Sequence, residues 1–291
     1  MAIGISPTVD FAFKLMLGSP EHTRVTIHFL NAILVDQPKI THVKILNPFL
    51  EKDSDDDKLS ILDVLATDEH GRMLNIEMQT SLPTELPQRL VYYASCLYVG
   101  QLTEGRNYSV LRPAISICVL TQALFPRIPG LHLDFRLREK SGIILTDDLQ
   151  IHFLELSKLQ VTAQNVYHAS PAERWAYFLR NAVQLTQSEV SQLIPDEEIA
   201  EAAGVLEMIS QTPAQRLLYE ARLKFQRDEE SKLREARQEG RQEGRQEGRI
   251  LVLQDLLGMR QSTTTELAEY DEAQLHDMAE QLQNQLRSRS Q

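Results

Sequence analysis

Apolar and polar positions change period several times along the chain, and each change marks an element. After Ser19-Pro20, a serine cap followed by proline at the first helical position, Val25, Phe29, Leu30, Ile33 and Leu34 recur at helical spacing until Asp36-Gln37-Pro38. Residues 40–49 read as a strand stopped by Asn47-Pro48. From Leu59 to Gln79, LSILDVLATDEHGRMLNIEMQ reads as two strands around Glu69-His70-Gly71, a three-residue hairpin loop closed by a glycine at positive φ. That loop pairs Asp68 with Arg72, and counting outward sets Asp63 directly opposite Glu77. Opposed residues share a face, with Cβ atoms roughly 5 Å apart. Period 2 adds Gln79 to the face of Glu77. Pro83 and Pro87 then precede a helix from Gln88 to about Gln101, with Arg89, Tyr92, Tyr93 and Tyr98 among Leu90, Ala94 and Leu97. AISICVL after Pro113 is a continuous apolar run, as expected of a central strand.

LHLDFRL (131–137) alternates like a half-wet strand, and Ile151–Leu156 is a further one. His132 and His152 fall on the polar sides of both, where solvated side chains are expected. Ser170-Pro171-Ala172-Glu173 is a capping box opening a helix to about Leu185, with Trp175, Phe178 and Leu179 inward. Another helix covers 196–210. Thr212-Pro213 begins a long one with a stripe of Leu217, Leu218, Ala221 and Phe225, and 265–286 reads as a small helical pair with Leu267, Tyr270, Leu275, Met278 and Leu282 inward. Inside the long helix RQEG repeats three times from Arg237 to Gly248. Period 4 stacks Arg237 on Arg241 on Arg245 and Glu239 on Glu243 on Glu247, and each glycine costs about 1 kcal/mol against alanine, so the repeat does not stabilise a lone helix. It is either a solvated linker or an oligomerisation element in which Gly240, Gly244 and Gly248 receive a second helix.

The 291 residues are 42% hydrophobic, enough for a globular core, and no apolar run approaches the roughly 20 residues of a membrane span. No signal peptide is read at the N-terminus, and the two cysteines, Cys96 and Cys118, sit in apolar segments as buried free thiols, so a cytoplasmic protein is expected. A net charge of −11 argues against a general nucleic-acid coat protein, but leaves room for an enzyme that meets phosphate through a metal. The acidic run from Glu51 to Asp57 lacks the glycine and distal glutamate of an EF-hand and reads as a solvated loop.

Facing carboxylates repel unless something positive lies between them. Asp63 and Glu77, with a strand carbonyl, form a hard-oxygen set suited to Mg²⁺ or Mn²⁺, which would orient a water against a phosphodiester. Gln79 can position that water but cannot accept its proton. The bland alternative is a solvent-facing cross-strand pair, disfavoured by the apolar neighbours in ILDVLA and LNIEMQ.

The order helix, three strands, helix, strand, with aspartate in the second strand and Glu-x-Gln in the third, resembles the PD-(D/E)XK nuclease superfamily. Within it the chain is most similar to the recombination-promoting nuclease and transposase family. The residues that carry the resemblance are Ser6 to Lys14, Ile61 to Val64, Asn75 to Gln79, Arg89 to Ser95 with Tyr98 and Gln101-Leu102, and Pro113 to Ile117. It implies an α/β, restriction-endonuclease-like core (αβββαβ, mixed central sheet) followed by an all-helical C-terminal region. It also implies a metal-dependent DNA endonuclease with Asp63 and Glu77 as metal ligands and Gln79 where most of the superfamily has lysine. Lys14 or Arg89 would then supply the missing charge, and Gln88 with Tyr92 resembles the Q-x-x-x-Y motif placed beside such sites. The expected organisation is a nuclease-like domain over 1–160, a helical extension over 161–211, the repeat helix over 212–258 as linker or homo-oligomer element, and a small helical segment over 259–291. The competing function is a catalytically inactive nuclease fold serving as an oligomeric DNA-binding or scaffold protein.

Overall fold

The computed structural model describes residues 2–46 and 63–289. Strand β1 (Val43–Ile45) lies inside the predicted 40–49 segment; its C-terminal part and the acidic Glu51–Asp57 run lie outside the described residues. The hairpin forms as its pattern dictates. Strand β2 (Val64–Asp68) pairs antiparallel with β3 (Met73–Gln79) in the register Val64↔Ile76, Leu65↔Asn75, which continued by one residue sets Asp63 against Glu77. Gly71 closes the loop at φ +78°, a conformation that favours glycine, and Asp68 Oδ1 accepts from Arg72 N at 2.9 Å.

Two helices, not one, precede the sheet. Helix α1 (Asp10–Leu17) carries no side-chain N-cap and buries Phe11, Phe13, Met16 and Leu17, so neither cap nor stripe announces it. Pro20–His22 is a single 3₁₀ turn capped by Ser19, and α2 (Thr23–Ile33) starts only after it. Gly18 lets α1 end against the sheet: a Cβ there would lie 2.8 Å from the Lys14 carbonyl and 3.1 Å from Val64 Cγ2.

Helix α3 (Leu86–Val99) and β4 (Ala114–Leu120) fall where the pattern places them, as do β5 (His132–Arg138) and β6, although β6 runs through twelve residues, Ile144–Glu155. The sheet order is β1-β2-β3-β4-β6-β5, with β3, β4 and β6 parallel and the remaining pairs antiparallel. This is the mixed sheet of the expected α/β fold. One face, with Ala66, Leu74, Ile76, Ile117 and Leu154, packs under α1, α2, α4 (Pro171–Asn181) and α6 (Glu197–Gln211) around Phe13, Phe29 and Trp175. The other face receives α3, through Leu86 and Leu90 on Cys118 and Phe153 and through Leu97 on Leu65.

Three expectations need correction. His152 is not solvated: β6 runs between β4 and β5, which leaves its ring 2% exposed. Tyr270 points outward at 43% exposure because the α8–α9 turn is closed by Leu267 and Leu275 instead. Helix α5 (Gln187–Leu193) was missed although Thr186 and Glu189 form a complete capping box.

The chain divides into two compact units, Met1–Leu223 and Lys224–Gln291. Helix α7 (Pro213–Leu256) contributes to both; in the second unit, α8 (Thr264–Leu267) and α9 (Glu272–Arg289) cover Ile250, Leu253 and Leu257 with Leu275, Ala279 and Leu282. On α7, Leu217, Leu218 and Phe225 of the anticipated stripe are exposed, while Tyr219 joins the core of the first unit. No helix among the described residues is long and apolar enough to cross a membrane. Gly240, Gly244 and Gly248 are helical, and among the described residues no neighbouring atom lies within 4 Å of where a Cβ would stand. Replacing all three with alanine should therefore raise helix stability by about 1 kcal/mol per site, read as a higher thermal midpoint by circular dichroism. A lower midpoint, with a smaller mass in solution, would mean that a second helix occupies the glycine stripe.

Candidate active site

Glu77 and Gln79 of β3, Asp63 just before β2 and Lys14 of α1 converge at the end of the hairpin farthest from its loop. Glu77, Asn75 and Gln79 alternate on β3 and face α3, together with Ser116 and Cys118 of β4, which pair in register with Asn75 and Glu77. Glu77 is 3% exposed and Asn75 and Ser116 are fully buried. Asn75 Nδ2 donates to Glu77 Oε1 at 3.2 Å and to Ser116 Oγ at 3.3 Å; Gln79 Nε2 donates to Glu77 Oε2 at 3.4 Å. The amides thus steer the carboxylate without neutralising it. Asn75 Oδ1 is buried with no partner among the described residues.

Asp63 sits just before β2. Its Oδ2 accepts the backbone N–H of Met78 at 2.9 Å, and its Oδ1 lies 3.2 Å from Lys14 Nζ. Lys14 comes from α1, so the close approach that Gly18 permits between α1 and Val64 also brings this cation to the carboxylate. Both side chains of the pair are largely withdrawn from water, at 16% and 13% exposure.

The two carboxylates share an electrostatic complaint. Burial pushes the Asp63 carboxyl above its ordinary value, against the pull of Lys14 and the Met78 N–H, with Asp10 adding to the rise. Burial also raises Glu77, the charge of Asp63 raises it further, and Asn75, Arg89 and Gln79 oppose both. Burial and the same two carboxylates drive the Cys118 thiol well above its usual range, so it is an inert wall rather than a nucleophile. A cation between Asp63 and Glu77 would relieve all three groups.

Among the described residues no cluster of three or more histidine, cysteine or acidic side chains forms a closed metal cage. The donor set fits an open site for a hard divalent ion. Mg²⁺ in particular retains several waters and is bound through one or two carboxylates plus substrate phosphates. Of the residues named from sequence, the structure brings together Asp63, Glu77, Gln79 and Lys14, and Arg89 acts on Glu77 through its charge. Gln88 and Tyr92 are exposed on α3, Tyr92 at 48% with its ring against Tyr93, and no hydrogen bond among the described residues joins either to the carboxylates. Asn75 and Ser116 were not anticipated as site residues; period 2 in NIEMQ pointed to Asn75, whereas Ser116 is brought in by the parallel pairing of β4.

With this geometry in place, comparison with known families adds one finding. The model for a PD-(D/E)XK nuclease family transposase matches residues 7–236, more than three quarters of the chain and all of the elements that build the site. Comparisons with curated proteins and with solved structures gave no match.

Proposed function

Since the chain belongs to the PD-(D/E)XK nuclease family transposases, we propose that it is a metal-dependent endonuclease that hydrolyses phosphodiester bonds in DNA. The observation that carries this reading is the pair of buried carboxylates, Asp63 and Glu77, opposed in register and both raised by burial. Asp63 and Glu77 would hold a Mg²⁺ or Mn²⁺ ion, which when bound would polarise a water and offset charge on the phosphodiester. The protein's own groups have separate tasks. Gln79, anchored on Glu77, offers an amide to hold the attacking water in line, since it cannot take the proton. Lys14 supplies the fixed positive charge that Gln79 does not, because its ammonium reaches Asp63 from α1 in place of a lysine on β3. Arg89 on α3 lends a second cation through its charge on Glu77.

Incubation of the full chain with supercoiled plasmid and Mg²⁺ or Mn²⁺ is expected to give nicked and linear products. Absence of both with either metal would favour a non-catalytic nuclease fold acting as a scaffold, the reading that the substitution of Gln79 for lysine supports. Lys14→Met should lower the nicking rate by about 10- to 100-fold, within the range of a single electrostatic or proton-handling group, with DNA affinity unchanged. Lys14→Arg should restore part of it. An unaltered rate in Lys14→Met would remove Lys14 from the reaction.

A further inference from the structure

A cleft of about 420 Å³ opens where the segment leading into α1 meets the ends of β4 and β6. Four hydroxyls line it, from Ser6, Thr8, Thr121 and Ser157, together with the guanidinium of Arg180, over a floor of Leu156 and Leu179. Among the described residues its lining holds no carboxylate, although the chain carries a net charge of −11. We propose that this cleft is a subsite for the sugar-phosphate backbone of a nucleic-acid strand, holding a phosphodiester group close to the one cleaved. The proposal rests on the nuclease reading above.

Position comes first. Thr121 N donates to the Gln79 carbonyl at 3.1 Å, and Thr121 Oγ1 donates to the Thr80 carbonyl at 3.1 Å, so one wall of the cleft is bonded to the strand that carries Glu77. Cys118 pairs with Glu77, and Thr121 follows three residues further along the chain, about 10 Å of strand rise toward the end of the sheet where Asp63 and Gln79 also lie. Ser6 and Thr8, which also line the cleft, lead directly into α1, the helix of Lys14. A nucleic-acid strand laid along this end of the sheet would run from the carboxylates toward the cleft.

Chemistry agrees with position. Ser6 Oγ and Thr8 Oγ1 lie 2.8 Å apart, so one hydroxyl donates to the other and the second hydrogen remains for a ligand. Ser157 and Arg180 are exposed, and among the described residues the guanidinium makes one hydrogen bond, from Nη1 to the Leu159 carbonyl at 3.2 Å. A guanidinium with hydroxyl donors is the recurrent recognition of phosphate oxygens, while apolar side chains beside them accommodate the sugar.

The test is binding of a labelled duplex oligonucleotide to the full chain in EDTA, where no cleavage competes, followed by anisotropy over a series of salt concentrations. Arg180→Gln should weaken binding by about 5- to 10-fold and reduce the slope of log K against log salt by ~0.9, the mark of one lost phosphate contact. Ser157→Asp, at an exposed position, should weaken binding similarly by placing a carboxylate in the cleft, and Arg180→Lys should keep the slope. Unchanged affinity and slope in Arg180→Gln would overturn the subsite. So would equal losses in Arg180→Lys and Arg180→Gln with a lowered melting temperature, which would assign Arg180 to holding the Leu159 carbonyl. Binding of inorganic phosphate without binding of the oligonucleotide would overturn it as well. Because the readout needs no catalysis, an altered salt slope in a chain that nicks no DNA would leave the subsite standing and remove only the nuclease reading.

Discussion

Glu77→Gln and Asp63→Asn are each expected to reduce plasmid nicking by about 10²- to 10³-fold, the usual cost of removing one preorganised charge-stabilising group, and to differ in their effect on stability. Glu77 is a buried carboxylate whose charged form is disfavoured by burial and by Asp63. At neutral pH its ionisation therefore costs stability. Glutamine keeps the acceptor that Asn75 Nδ2 uses, and a turn of the Gln79 amide lets its oxygen accept from the new N–H in place of the bond to Glu77 Oε2. Glu77→Gln should accordingly melt higher than wild type. Asp63→Asn removes the partner of Lys14, leaving an ammonium that is 16% exposed without its counter-charge, and should melt no higher than wild type. Nicking assays and melts of the same preparations decide the matter. A Glu77→Gln protein that nicks at the wild-type rate would sink the active-site assignment. Lower melting in both variants would mean that the carboxylates are structural.

How much of this was legible beforehand depends on which contacts are local. The hairpin register followed from one glycine and a count, because a three-residue loop and period 2 leave little freedom, and Asp63 fell opposite Glu77 as a result. Trp175, Phe178 and Leu179 turned inward because their helix carries its own start signal in Ser170 and Glu173. Helix α5 carries the same signal in Thr186 and Glu189, so its start too is written in local sequence. By contrast, α1 has no cap, and its contact with β2 depends on Gly18 meeting Val64, forty-six residues away; no linear pattern states that Lys14 ends at Asp63. The Arg180 cleft gathers residues from both ends of the nuclease core, Ser6 to Arg180, and has no sequence signature. His152 misled because alternation in a strand distinguishes faces but not edges from centres. Its face is polar because β5 brings His132, Asp134 and Arg136 to it beside Gln150 of its own strand, and β5 also buries it.

That same histidine sets the second large effect: the first unit should lose about 3 kcal/mol of stability as pH falls from 6.5 to 4, through His152 alone. Gln150 Nε2 donates to the Asp147 carbonyl at 2.7 Å, so Gln150 Oε1 is the acceptor that meets His152 Nε2 at 3.2 Å. His152 therefore carries its proton on Nε2, and its Nδ1 accepts from His132 Nε2 at 3.0 Å, with the two rings stacked. A second proton on His152 would set N–H against N–H inside the sheet. Burial lowers its pKa to about 4; Asp134, 4.0 Å away, opposes the shift, while His132 and Arg136 assist it. Burial also lowers His132, against Asp134 and Asp36. The sign follows from the depressed value. Above about pH 6.5 neither folded nor unfolded chain protonates this ring, and its full contribution is present. Between 6.5 and 4 the unfolded chain takes the proton first, and stability falls until the folded ring titrates too. Asp63 and Glu77, raised by burial, push the opposite way over acidic pH, so the wild-type curve alone is ambiguous. The difference between wild type and His152→Asn isolates the ring. Trp175, the single tryptophan and wholly buried in the core that includes Leu154 of β6, reports unfolding of this unit by fluorescence. Urea melts at pH 7.5 and pH 4 should show the wild-type advantage shrinking by about 3 kcal/mol. An advantage that stays constant across that range would show that His152 is already charged, or already hydrated, within the fold.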